Sequence, residues 1–190
     1  DMDTYLSAKA RLFGELMAND GVAVLNLDDP ATPQIDSAGK ATWTYGQATG
    51  ADFRYRIIDA TLGGSHIFID SPHGTTELDL PLLGAHNVAN AVAAFAAACA
   101  LGISVDDCVS GLSQLRHIPG RLEPVANPLG IHVLVDYAHT PDALDAVLTS
   151  LASLGKRRIL TVFGCGGDRD AGPAQPGGVH GHAGADQLEQ

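Results

Sequence analysis

The sequence predicts an α/β fold. Two observations carry this reading. Late in the chain, apolar runs at residues 131–135 and 158–162 flank one helical pattern over 141–154, the mark of a strand–helix–strand unit. Earlier, a series of short strand patterns leads into a long Ala-rich helical run over 84–101. Each late apolar run ends in a polar segment, Asp136-Tyr137-Ala138-His139-Thr140-Pro141 and Phe163-Gly164-Cys165-Gly166-Gly167-Asp168-Arg169-Asp170. Parallel strands joined by a right-handed crossover would send both segments off the same sheet edge, where open α/β sheets bind ligands. The expectation is that Asp136 and Arg169 share one crevice, facing the helix that carries Asn87.

The elements follow in order. Residues 3–17 read as a helix, with Tyr5, Leu6, Leu12, Phe13 and Leu16 as its apolar stripe. Residues 22–27 read as a buried strand stopped by Pro30. Strand patterns at 43–46, 53–60, 66–70 and 75–80, separated by Gly, Pro and Ser turns, predict an antiparallel meander. The helix over 84–101 has Gly102 placed to end it in a left-handed turn. A further helix is expected from about 105 to 115, then a hinge, Ile118-Pro119-Gly120-Arg121-Leu122-Glu123, with a domain boundary near 122–127. Residues 171–190 carry almost no large apolar side chains, and are expected to be a disordered or aberrant tail.

Composition narrows the function. The chain has 190 residues, 45% of them hydrophobic, which suits one or two small globular domains. A net charge of −11 argues against nonspecific nucleic-acid binding, which needs clustered Lys and Arg. The three cysteines, Cys99, Cys108 and Cys165, form no disulfide framework and no zinc spacing, so a reducing cytoplasm is expected. The longest strongly apolar stretch, 91–101, is too short to cross a bilayer, and no signal peptide is visible. The first residue is Asp1, not Met, so the chain is expected to begin inside a longer protein or after processing.

Several side chains could carry chemistry. Asp136 could accept the hydroxyls of a ribose, or serve as an acid beside the helix start at Thr140-Pro141. Gly164, Gly166 and Gly167 could turn backbone N–H groups toward an anion, with Arg169 behind them, or could form only a tight turn. Asn87 and Asn90 share one helix face and could read a purine edge; helix capping is the competing explanation. His86 reads as local packing or solvent-facing. Lys9 alone reads as a solvated helix lysine, and His180 and His182 lie in a segment with no fold to hold a metal.

Taken together, six segments resemble the Mur ligase family: Tyr5-Leu6-Ser7-Ala8-Lys9-Ala10-Arg11-Leu12-Phe13, Asn26-Leu27-Asp28-Asp29, Gly84-Ala85-His86-Asn87-Val88-Ala89-Asn90, Pro119-Gly120-Arg121-Leu122-Glu123, the Asp136 segment and the Gly164 segment. The resemblance runs from residue 1 to about 170. It implies a partial P-loop-type central ATPase domain over 1–123, followed over 124–170 by the start of a Rossmann-like C-terminal domain. It implies an ATP-dependent amide ligase of peptidoglycan synthesis that uses ATP and Mg²⁺. Such an enzyme joins meso-diaminopimelate to UDP-N-acetylmuramoyl-L-alanyl-D-glutamate through an acyl phosphate. In that frame Lys9 matches a carbamylated lysine whose added carboxylate helps hold Mg²⁺, Asn87, Arg121, Asp136 and His139 match nucleotide contacts, and Arg169 matches a contact to the incoming amino acid. Small-molecule substrates, no nucleic acid, no membrane insertion and a cytoplasmic location follow from the same resemblance.

The departures matter too. No G-x-x-x-x-G-K-[ST] phosphate loop occurs in the chain, and after Asp170 the family's continuation gives way to Ala171-Gly172-Pro173-Ala174-Gln175, a change that a reading-frame shift or a damaged end would produce. These 190 residues are therefore expected to be inactive alone. Two other readings are a folylpolyglutamate- or cyanophycin-synthetase-like ligase, and a non-catalytic nucleotide-binding or scaffold remnant of the fold.

Overall fold

Asp1 starts the first helix: its carboxylate accepts from the Thr4 N–H at 2.9 Å, and α1 runs over Met2–Arg11. The structure, a computed structural model, describes residues 1–155 and 158–164. The helix predicted over 3–17 does not stay α-helical. It widens into a π-turn over Leu12–Leu16, closed by Met17 N–H donating to the Leu12 carbonyl at 2.8 Å. Gly14 weakens the α-helix there, and the Lys40 ammonium takes the Phe13 and Gly14 carbonyls, each at 2.9 Å.

Five strands form one sheet in the order β1-β2-β3-β4-β5: Val22–Asn26, Ala41–Gly46, Phe53–Thr61, Gly64–Ser71 and Gly74–Leu80. The predicted four-strand meander is corrected here. Only β3, β4 and β5 are antiparallel neighbours, while β2 runs parallel to both β1 and β3. A short link can join parallel strands because β3 overlaps β2 only at Tyr45↔Phe53 and Gly46↔Arg54 and then runs on past it. No crossover helix is needed. Two carboxylates fix the link over 47–52. Asp28 accepts from the Gln47 and Ala48 N–H groups, both at 2.8 Å, and Asp52 accepts from the Thr44 N–H at 2.7 Å.

The Ala-rich helix α2 (Ala85–Ala100) covers one sheet face. Val88, Ala91, Val92, Phe95, Ala96 and Cys99 recur at helical spacing and are buried against Phe53, Tyr55, Ile67, Ile69, Leu78 and Leu80. Phe53 and Phe95 meet edge to face at 6.1 Å. Gly102 at φ 82° ends α2 as the sequence predicts. Ser104 then caps α3 (Val105–Ser113) by accepting from the Asp107 N–H.

A hairpin follows, with β6 (Glu123–Val125) antiparallel to β7 (Val133–Val135). Thr140 caps α4 (Pro141–Ser153), with Pro141 in its first turn, so the sequence reading of this helix start holds. A second, smaller core forms here. Leu83, Leu122 and Val147 are buried, with Leu134, Ala138, Leu151 and Leu154 packed around them.

The second half of the predicted strand–helix–strand unit is not observed. Residues 158–164 form no strand, and Leu160, Val162 and Phe163 are exposed. An apolar run becomes a strand only where a neighbour takes its backbone groups, and it has no ladder partner among the described residues. The chain divides into compact units over 1–159 and 160–190. The glycine-rich segment from Cys165 on, Arg169 and the tail over 171–190 lie outside the described residues. The expected meeting of Asp136 with Arg169 lies outside them too. Among the described residues no helix is long and apolar enough to cross a membrane.

Candidate functional site

The β6–β7 register sets Glu123 opposite Val135, which brings Leu122 beside Asp136. The half-buried Asp136 carboxylate uses both oxygens: Oδ2 accepts from the Leu122 N–H at 2.8 Å and Oδ1 from the Ala138 N–H at 2.7 Å. Three further bonds hold the hinge. Tyr137 N–H donates to the Gly120 carbonyl at 2.9 Å, Arg121 N–H to the Ile118 carbonyl at 3.0 Å, and Gly120 N–H to Glu123 Oε2 at 2.9 Å. Leu122 adopts φ 46°, a left-handed conformation that β-carbon sterics disfavour. It is held there because its N–H is bound by Asp136 and its side chain, 2% exposed, sits in the second core.

The same leucine reaches the start of α2. Gly84, at φ 90°, is the N-cap residue and offers no side chain to cap with. A Cβ there would lie 2.8 Å from Leu122 Cδ1 and 2.9 Å from His86 Cε1 and would push both side chains, and the φ of 90° itself favours glycine. Burial pulls the His86 imidazole below its ordinary value. The Asp136 carboxylate opposes that shift, and the Arg121 guanidinium adds to it. The start of α2, the hinge and the end of β7 therefore form one junction.

Asn87 does not cap α2, because Gly84 holds that position. It is 1% exposed, and its Nδ2 donates to the Leu83 carbonyl at 2.7 Å. Its Oδ1 has no hydrogen-bond partner, an acceptor that a ligand amino group could satisfy. Asn90 is exposed. Arg121 is exposed and makes no ion pair among the described residues, which suits a phosphate. Each Asp136 oxygen retains a lone pair, which suits ribose hydroxyls. These residues fit a nucleotide.

His139 is exposed, its Nδ1 lies 3.0 Å from the Tyr137 carbonyl, and its ring meets Tyr137 at 5.3 Å. Lys9 is exposed on α1 with its ammonium 4.3 Å from the Tyr5 ring centroid, and makes no hydrogen bond to the junction residues. Among the described residues no group of three or more His, Cys, Asp or Glu could hold a metal ion. An unmodified Lys9 ammonium would repel one, so the residues as they stand do not fit Mg²⁺. Sequence reasoning read His86 as local packing or solvent-facing without placing it at the junction, and it missed Leu122. The first neighbours Asn87 in its motif and the second follows Arg121, so motif position was the available signal.

A mixed sheet under an Ala-rich helix, joined to a hairpin through a clamped hinge, defines a piece of an α/β protein. The family profile described as Mur ligase middle domain matches residues 1–98, and that described as Mur ligase, glutamate ligase domain matches 120–187. The chain belongs to the Mur ligase family. A relative from Geobacter sulfurreducens named UDP-N-acetylmuramoyl-L-alanyl-D-glutamate–2,6-diaminopimelate ligase is 43% identical over 178 residues, covering 90% of this chain and 35% of its own length. A solved structure of a UDP-N-acetylmuramoyl-L-alanyl-D-glutamate–2,6-diaminopimelate ligase is 36% identical with TM-score 0.66, over 90% of this chain and 36% of that one. The crystal structure of MurF from Acinetobacter baumannii aligns with TM-score 0.71 at 28% identity, over 80% of this chain and 33% of that one. The chain thus spans about a third of the length of the curated relatives it matches.

Proposed function

We propose that the chain is part of an ATP-dependent amide ligase of peptidoglycan synthesis, the one that adds diaminopimelate to UDP-N-acetylmuramoyl-L-alanyl-D-glutamate in the cytoplasm. The names of its relatives support the reaction. The observation that supports the site is the junction, where the Asp136 carboxylate clamps the hinge carrying Arg121, which makes no ion pair among the described residues, and both act on His86 beside Asn87, whose Oδ1 has no partner. On this reading residues 1–123 are the second half of the central ATP-binding domain and 124–170 open the C-terminal domain, whose family profile extends to residue 187.

The roles follow from chemistry. Asp136 orients the ribose with its free lone pairs while its backbone bonds keep it from turning. Arg121 neutralises phosphate charge, and Asn87 takes an amino group of the base. His139 stands near the same loop as a further nucleotide contact. Arg169 binds the incoming amino acid through a carboxylate. A carbamate on Lys9 would replace a repelling ammonium with hard oxygen ligands for Mg²⁺.

Titration of the 190-residue chain with ADP, followed by NMR, tests the reading. The expected result is shifted resonances at Asn87, Arg121 and Asp136, weakened in Asp136→Ala and Arg121→Ala. No shift at these residues at millimolar ADP rejects the site. The chain alone is expected to show no ATP-dependent ligation, since its sequence holds no phosphate loop, and measured ligation would overturn that expectation.

A further inference from the structure

The nucleotide reading leaves His86 without a role. We propose that His86 is a positioning residue: its imidazole, packed on the Gly84 backbone beside Leu122, holds the hinge so that Arg121 and Asp136 stay in register with the start of α2. Its consequence for ligand binding rests on the nucleotide reading above, while the hinge geometry does not.

Two contacts converge on Gly84. The His86 ring and the Leu122 side chain both crowd the position a Cβ on Gly84 would take, His86 Cε1 at 2.9 Å and Nδ1 at 3.1 Å from it, Leu122 Cδ1 at 2.8 Å. The ring thus fills the space beside the leucine whose N–H Asp136 binds at 2.8 Å. Removing the ring frees Leu122 to shift, and a shift of Leu122 breaks the bond to Asp136. Arg121 is the residue before Leu122 and moves with it. The ring also contributes by being uncharged. The charged groups acting on it are Asp136, after β7, and Arg121, in the hinge. A protonated ring would repel the guanidinium and draw the carboxylate away from the Leu122 N–H, opening the clamp from its other side.

Backbone hydrogen exchange in the 190-residue chain, read by NMR, tests this without any ligand. In His86→Ala the Leu122 and Ala138 amides are expected to exchange about tenfold faster, the size of one lost charge-assisted bond, while Phe95 and Ile67 amides do not change. His86→Gln, neutral and of similar reach, restores most of the protection. Wild type at about pH 5.5, corrected for intrinsic exchange, shows the same loosening at Leu122 and Ala138, and His86→Gln does not. ADP affinity falls about tenfold in His86→Ala and returns in His86→Gln.

Unchanged exchange at Leu122 and Ala138 in His86→Ala overturns the proposal. If that variant does not fold, wild type and His86→Gln decide: an identical pH response in both overturns it. Loosened amides with unaltered ADP affinity overturn the claim that His86 positions ligand contacts. Loosened amides in a chain that binds no ADP support the positioning role and refute the nucleotide reading.

Discussion

Asp136→Ala removes a side chain that ties the hinge to the end of β7 by two hydrogen bonds. Two backbone N–H groups lose their acceptor, Leu122 at 2.8 Å and Ala138 at 2.7 Å. Bonds to a charged acceptor contribute about 1.5–3 kcal/mol each, and the half-exposed carboxylate places these at the low end, so the loss is about 3 kcal/mol. Leu122 adds weight, because it is 2% exposed, its N–H has no ready access to water, and its φ of 46° then has nothing to hold it. Asp136→Asn keeps one acceptor and turns an amide donor toward the other N–H, so it should cost an intermediate amount, about 2 kcal/mol. Urea unfolding followed by far-UV circular dichroism measures both, with an unchanged m-value showing that the same surface is exposed. A loss under about 1 kcal/mol in Asp136→Ala would refute the clamp, since surface substitutions stay within about 0.5 kcal/mol.

Three further outcomes are expected. Phe95→Ala, at a side chain 1% exposed that meets Phe53 edge to face, should cost about 3–5 kcal/mol in the same unfolding assay. Stability should fall with acid through His86: its folded-state value lies below the ordinary 6.5, so the unfolded chain takes the proton first, and the contribution is complete above that value and lost as pH drops through the folded one. His86→Gln should flatten that part of the curve of unfolding free energy against pH. Cys99, buried and pushed up to about 11, should react with a thiol reagent only as fast as the chain opens, so labelling at pH 8 should accelerate sharply in urea.

Local chemistry was legible in the residues. Thr140-Pro141 announced the start of α4, Gly102 the end of α2, and the spacing of Val88, Val92, Phe95 and Cys99 the buried face of α2. The strand pattern of residues 43–46 was legible as well, but not the direction of its neighbours. Periodicity reports which face is buried and says nothing of pairing, so the parallel step from β2 to β3 was read as a meander turn. The run over 158–162 shows the reverse failure, apolar enough for a strand yet without a ladder. Motif order pointed to Asn87, Arg121 and Asp136. It could not show that Asn87 leaves the cap to Gly84, or that both Asp136 oxygens are engaged by backbone.

By itself, then, the chain's order of residues determined where its helices lie, the end of α2 and the start of α4, the apolar faces and the family. These depend on groups a few positions apart, and local sterics and spacing decide them. Only the tertiary structure decided that Leu122 would be turned left-handed beneath Gly84 and pinned by a carboxylate 14 positions on. That choice arises where distant segments compete for the same small volume and the same hydrogen-bond partners.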